Sequence, residues 1–349
     1  MPACVQAALT AIEYHLPERR LTNAELNEEF GESVMEQVTK MTGVLERRIA
    51  QPGECASDLA AAAAKKLFAN YGIPPGDIDF ILYCTETPDY FLPASACLLQ
   101  QRLGVPTRAG ALDFNLGCSG YIYGLSLAKG LIETGQAQRV LLLTGDTPSK
   151  LIESDDRTVR PLFGDAASAS LIEARTIGAG ENGAEPLIGP FIFGTDGAGS
   201  EALIVEQGGF RALANVELSG NGCNGQPRKM RFSMNGARVY DFMRHTVPQL
   251  LNGLLEKAAL AESDIDMFVF HQASKLILDR LRRALRIPEA AFCFCMEDVG
   301  NTVSSTIPIA LKRLDESGKV ADGAKLALAA FGVGFSWGAT VIRWQGIEI

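Results

Sequence analysis

Short runs of consecutive apolar residues alternate along the chain with longer segments whose apolar positions recur every three or four residues. The first kind reads as strands buried on both faces, the second as helices packed on one face. Phe80-Ile81-Leu82-Tyr83-Cys84 and Val140-Leu141-Leu142-Leu143 are of the first kind, and Val5 to Tyr14 and Ala167 to Glu173 are further strands. Ala56 to Tyr71 is the clearest helix: alanines dominate it, Ser57 can cap it, and Gly72 with Pro74 and Pro75 ends it. Thr22-Asn23-Ala24-Glu25 has the cap-then-acid pattern of a helix start. Val34 to Arg48 is of mixed helical character, broken at Thr42-Gly43, and Ala94 to Leu103 is a helix after the loop Pro88 to Leu92. From about Thr176 to Arg228 glycines interrupt both patterns, which predicts an irregular stretch with hairpin-like pieces. Strands alternating with helices predict a mainly parallel sheet covered on both faces.

The pattern then occurs a second time. Pro75-Gly76-Asp77-Ile78-Asp79-Phe80-Ile81 returns as Glu262-Ser263-Asp264-Ile265-Asp266-Met267-Phe268. Arg102-Leu103-Gly104-Val105-Pro106 returns as Ala284-Leu285-Arg286-Ile287-Pro288, and Leu116-Gly117-Cys118-Ser119 as Val299-Gly300-Asn301-Thr302. The following helices end in Glu133-Thr134-Gly135 and Glu316-Ser317-Gly318, and the strands Ala169 to Ile172 and Ala339 to Ile342 also correspond. The shared order, with short insertions and deletions shifting the offset, predicts a duplicated fold with halves 1–175 and 176–349, not a solenoid.

Composition narrows the class of protein. A formal net charge of −9 over 349 residues argues against a nucleic-acid binder. No apolar run approaches the length of a membrane span, and Met1 to Arg20 lacks the apolar block of a signal peptide. The eight cysteines include no CxxC pair, and with three histidines no zinc-ligand spacing emerges. Cys293-Phe294-Cys295 lies in an apolar run and reads as strand. A reduced, cytoplasmic, soluble protein without a metal is expected.

The candidate chemistry sits at strand-to-helix turns. Cys118 follows an apolar run and precedes a helical pattern, where the positive helix end favours thiolate. The repeat sets Asn301 at the same turn of the other half, so a pseudo-two-fold axis would bring the two turns face to face. It also sets Glu86 opposite His271, each just past an equivalent strand end. Cys118, His271 and Asn301 thus converge at strand carboxyl ends, where parallel sheets hold ligands. A thiol with a histidine suggests covalent thioester chemistry, with His271 and Asn301 as donors to a developing enolate oxygen.

The chain resembles the β-ketoacyl-acyl-carrier-protein synthase III family over essentially its whole length. The matching motifs are Thr42 to Arg48, Gly117-Cys118-Ser119-Gly120, Asp156-Arg157, Phe163-Gly164-Asp165-Ala166, His271-Gln272-Ala273, Gly300-Asn301-Thr302 and Phe331 to Gly338. The resemblance implies an α/β thiolase-like duplicated fold, layered αβαβα, and a ping-pong decarboxylating Claisen condensation. Cys118 would take an acyl group from acyl-CoA or an acyl carrier, and malonyl-carrier would then lose carbon dioxide and attack it. His271 and Asn301 would stabilise the enolate, and the N–H groups of Cys118 and Val333 would form the oxyanion hole. The implied cofactor set is empty, with coenzyme A or phosphopantetheine thioesters as substrates. The implied assembly is a homodimer, in which Leu92 would close the partner's acyl pocket.

Several positions depart from the family pattern. Val333 stands where the family often has glycine, Gln37 where it has an adenine-stacking tryptophan, and Met41 where it has an arginine; Arg157 retains the second stacking position. Ser274 replaces an asparagine expected to touch the thioester arm. Glu86 replaces a small hydroxyl residue, and in the hydroxymethylglutaryl-CoA synthase branch a glutamate here is a general base. This leaves open a non-decarboxylating acyltransferase or condensing enzyme, and, less compatibly with the Cys118, His271, Asn301 set, a non-catalytic partner subunit. The helix after His271, with Lys275, Arg280, Arg282, Arg283 and Arg286, offers a positive patch for an acidic carrier protein, Lys275, Arg280 and Arg283 being the docking residues.

Overall fold

The computed structural model describes residues 4–177, 186–213 and 231–346. The chain opens with β1 (Cys4–His15) and β2 (Arg19–Thr22), followed by α1 (Asn23–Phe30), α2 (Glu32–Thr42) and β3 (Glu46–Ile49). Thr22 and Glu25 exchange the reciprocal hydrogen bonds of a capping box at the start of α1. Gly43, at φ 73°, ends α2, and the segment expected to stay partly helical to Arg48 becomes β3, paired with β2. α3 (Ala56–Asn70), β4 (Phe80–Cys84), α4 (Ser95–Leu103), β5 (Gly110–Phe114), α5 (Gly120–Glu133), β6 (Arg139–Asp146) and β7 (Ala166–Ile177) come next. Then follow β8 (Ile188–Thr195), β9 (Leu203–Val205), α6 (Phe210–Leu213), β10 (Phe232–Met234) and α7 (Gly236–Ala258). β11 (Met267–Phe270), α8 (Lys275–Ala284), α9 (Thr306–Glu316), β12 (Lys325–Gly332) and β13 (Ser336–Arg343) complete the order.

Two sheets carry the core, ordered β1-β7-β6-β4-β5 and β11-β12-β13-β8. The expectation of mainly parallel sheets is corrected. β4 runs parallel to β5 and β6, and β11 to β12, but β1, β7, β8 and β13 pair antiparallel. β12 turns directly into β13, with no crossover helix to restore a parallel direction. The stretch expected to be irregular from Thr176 contributes the eight-residue β8, while residues 178–185 and 214–230 lie outside the described residues.

Alternation along the strands sorts side chains into layers. Leu141 and Leu143 of β6 pack with α3 and α4, while Val140 and Leu142 pack with α5 and α9 between the sheets. In β12, Leu326, Leu328 and Ala330 face that same central layer, and Ala327, Ala329 and Phe331 face α7 and α8. The order is helices, sheet, helices, sheet, helices, the five-layer αβαβα arrangement expected.

The repeat is visible in matched hydrogen bonds. A 3₁₀ turn precedes both β4 and β11, at Pro75–Asp77 and Glu262–Asp264. Asp79 accepts the backbone N–H of Arg139, and Asp266 likewise accepts that of Lys325. One counterpart is missing: Cys293 to Cys295, predicted as strand, lies outside any named strand and shares only a bridge between Phe268 and Phe292 with β11.

Candidate active site

Cys118 sits in the turn between β5 and α5, with 6% of its surface exposed. The structure reverses the expectation of thiolate character. Burial drives the thiol pKa up, and the nearby Glu86 and Asp146 carboxyls push in the same direction. The backbone N–H groups of Val333 and of Cys118 itself pull it down, because both are directed at the sulfur. These are the two N–H groups expected to form the oxyanion hole. Gly332 lies so close that a Cβ there would stand 2.8 Å from the Cys118 Sγ. The Val333 loop is pinned from behind: Ser336 Oγ donates to the Val333 carbonyl at 2.9 Å and receives the Ser119 hydroxyl at 2.6 Å. Neither serine stood out in the sequence, although both belong to matched motifs.

His271 follows β11 directly and is 2% exposed. Burial lowers its pKa to about 3, so the imidazole is neutral. Its Nδ1 lies 2.7 Å from the Thr306 hydroxyl, whose other contact is the Val303 carbonyl at 3.2 Å. The hydroxyl has one proton to give, so a ring proton on Nε2 requires it to be donated to Nδ1 and not to the Val303 carbonyl. Phe331, just before the glycine that touches Cys118, packs edge-on against the imidazole with centroids 5.9 Å apart. The end of β12 therefore touches both residues.

Asn301 is held by backbone. Its N–H donates to the Leu162 carbonyl at 2.9 Å and its carbonyl accepts from Gly164 N–H at 3.0 Å. Its side chain accepts from Val303 N–H at 3.0 Å and reaches the Ala273 carbonyl at 3.5 Å, beside His271. Gly300, at φ 72°, makes this approach possible; a Cβ would lie 2.6 Å from the Leu162 carbonyl oxygen. Two matched motifs are thereby explained. Phe163-Gly164 supplies the staple for Asn301, and the fully buried Arg47 supports it by donating to the carbonyls of Leu21 and Pro161.

Glu86 enters the same site. Its carboxyl lies against Gly117, where a Cβ would come within 2.2 Å of Oε2 and 2.9 Å of a Val333 methyl. It makes no hydrogen bond or ion pair among the described residues, and burial with the charge of Asp146 raises its pKa to about 8. Asp146, which sequence reasoning missed, is 2% exposed at the end of β6. It accepts the Glu86 backbone N–H at 2.8 Å and the Ser304 hydroxyl at 2.6 Å, joining the two halves. Burial raises its pKa to about 7 against these hydrogen bonds. Its only signal in sequence was a carboxylate at the end of an apolar run.

The remaining expected positions lie apart. Ser274 caps α8 through Ile277 N–H. Gln37 and Met41 lie exposed on α2, and Arg157 is exposed in the turn that Asp156 organises. Leu92 is 80% exposed, beside the Phe91–Phe210 ring pair. Lys275 pairs with Asp279, Arg280 donates to Tyr240, and Arg283 is exposed. Arg286 falls beyond α8, at φ 57°, and so is not part of the helical patch. Among the described residues, no group of three His, Cys, Asp or Glu could hold a metal ion, and no helix is long and apolar enough to cross a membrane.

Comparison with known proteins gives a consistent result. Residues 112–197 match the family model for 3-oxoacyl-[acyl-carrier-protein] synthase III, and residues 255–344 match its C-terminal model. The chain is 34% identical over 341 residues to the β-ketoacyl-[acyl-carrier-protein] synthase III of Caldanaerobacter subterraneus subsp. tengcongensis, covering 98% of each. It is 36% identical over 343 residues to synthase III 2 of Halalkalibacterium halodurans, covering 97% of each. A crystal structure of a 3-oxoacyl-(acyl-carrier-protein) synthase III superposes with a TM-score of 0.90 at 47% identity, over 97% of this chain and 100% of that one.

Proposed function

The chain belongs to the β-ketoacyl-acyl-carrier-protein synthase III family and is an acyltransferase of that type; we propose that Cys118 is its acyl acceptor in a decarboxylating condensation with malonyl-acyl-carrier protein. The observation that carries this reading is the pair of N–H groups, from Cys118 and Val333, directed at one buried sulfur. A thioester carbonyl attacked by that sulfur develops its negative charge where such donors can meet it.

In the first half-reaction the Cys118 sulfur attacks the carbonyl carbon of an acyl-CoA or acyl-carrier thioester. The thiol proton passes to the departing carrier thiolate, and the acyl group remains on Cys118. In the second, malonyl thioester loses carbon dioxide, and the electron pair of the broken C–C bond forms an enolate. His271, with its Nε2 proton, and Asn301, with its amide, donate to the enolate oxygen. The enolate carbon attacks the acyl group, the C–S bond to Cys118 breaks, and the thiol is regenerated with a proton from solvent. His271 suits this donor role because it stays neutral and needs no base.

The chemistry is carried by side chains and thioesters alone, with no metal or cofactor. Arg157 contacts the coenzyme A or phosphopantetheine arm, Ser274 borders it, and Glu86 lines the site. Lys275, Arg280 and Arg283 receive the acidic carrier protein. The protein works in the cytoplasm as a homodimer, in which Leu92 closes the partner's pocket, and its two catalytic halves are 1–175 and 176–349.

Intact-protein mass spectrometry after incubation with acyl thioesters tests the reading. The acyl mass is expected on Cys118 and absent from C118A. H271A and N301A are expected to be acylated but not to release carbon dioxide from malonyl-carrier. Labelling that survives C118A, or equal loss of both half-reactions in H271A, would overturn the assignment.

A further inference from the structure

Glu86 is built into the site in a way that the proposed half-reactions do not use. Its backbone is already fixed by the hydrogen bond from its N–H to Asp146, so the loop does not need the side chain for anchorage. The carboxyl instead lies against Gly117 of the nucleophile turn, where a Val333 methyl also approaches. Gly117 leaves it that space, because a Cβ there would collide with Oε2 at 2.2 Å. No lysine, arginine or hydroxyl of the described residues answers it, and the other acidic group within reach, Asp146, is engaged by Ser304 and by the Glu86 backbone. Burial and the Asp146 charge keep the carboxyl protonated near neutral pH, so it holds both a donor and an acceptor.

Glu86 is partly buried, and a polar group that faces a site without a protein partner favours ligands able to satisfy it over those that cannot. A glutamine or leucine would fill the same volume, so packing alone gives no reason for a carboxyl. We infer that Glu86 is a specificity-determining residue that hydrogen-bonds a hydroxyl or carbonyl group carried by the acyl donor close to its thioester. The donor class is therefore a polar-substituted short acyl thioester, such as a 3-hydroxyacyl or 3-oxoacyl group. The preceding reaction in sequence must supply an acyl chain already oxygenated near its thioester. This rests on the reading of Cys118 as acyl acceptor.

The test is the rate of acyl transfer to Cys118 from 3-hydroxybutyryl and butyryl thioesters, each offered on coenzyme A and on acyl-carrier protein, followed by intact mass. The wild-type protein is expected to take the hydroxylated donor about ten- to a hundredfold faster. E86L is expected to invert the preference, and E86Q to keep it, because an amide also hydrogen-bonds. Equal or faster transfer from butyryl in the wild type overturns the inference, as does a preference unchanged in E86L. So does an E86Q variant that takes both donors at the same rate, since an amide that hydrogen-bonds should still discriminate. If no donor adds mass to Cys118, the acyl-acceptor reading falls and takes this inference with it.

Discussion

The two halves carry the same elements in the same order and finish the same strand ends differently. In the first half β4 pairs with β5 along its whole length, and Thr85 N–H extends the contact to the Phe114 carbonyl. In the second half the partner of β11 is reduced to a bridge at Phe292. There the Gln272 amide replaces the ladder: Nε2 donates to the Phe270 and Cys293 carbonyls, and Oε1 accepts from Cys295 N–H. A side chain thus takes over hydrogen bonds that a strand makes elsewhere, while on the other edge His271 N–H still donates to the Ala329 carbonyl at 2.8 Å and holds the residue at the strand end. The matched glycines differ in the same spirit. Gly117 makes room for a side chain, whereas Gly300 makes room for a backbone at positive φ.

Alanine at the two glycines should break the comparison most sharply. G300A meets both the left-handed conformation and a carbonyl oxygen that cannot move aside, and an expected loss of about 3 kcal/mol or more should appear in urea unfolding. G117A meets only the ends of the Glu86 and Val333 side chains, so the double variant G117A/E86A should recover most of the stability that G117A loses. Q272A removes the substitute ladder and leaves the buried groups of Cys293 and Cys295 unpaired. It should cost about 2–3 kcal/mol, while T85V in the first half, where the strand itself holds, should cost clearly less.

Smaller effects concern the site. T306V should slow malonyl decarboxylation roughly tenfold while sparing acylation, with T306S restoring it. Nitrogen NMR of the imidazoles should show His271 losing its Nε2–H preference, a shift that mere loosening of the fold would not produce. The least effect is on pH dependence. An unfolded Glu86 titrates near 4.5 and the folded one at about 8, so its stabilising proton is fully retained below 4.5 and lost as pH rises through 8. E86Q should therefore flatten the decline in melting temperature between pH 5 and 9.

The layered fold was legible because the strands are continuous apolar runs and the repeat is written into short motifs such as Asp79 and Asp266. The positions of Cys118 and His271 were legible for the same reason, each following a recognisable strand, whereas Asn301 follows no named strand and was legible through the repeat. What the sequence hid were effects of assembly. The Cys118 pKa depends on burial and on carboxyls that arrive from β4 and β6, so a helix-dipole argument made locally gave the wrong sign. Asp146 connects Glu86 to Ser304 across more than half of the chain, and nothing local marks it. The mixed strand directions escaped because apolar runs carry no sign of polarity. The Gln272 substitution escaped because an amide side chain in a motif does not announce which ladder it completes.

The staple that holds Asn301 has a consequence for recombination. Its two backbone hydrogen bonds run to Leu162 and Gly164, which belong to the other half. A chimera that exchanges the C-terminal half between relatives would import the asparagine without the surface that aims it. Residues 161–165 and 299–301 form one inheritable unit despite their separation in sequence, and crossovers that keep them together should yield active hybrids where those that part them do not.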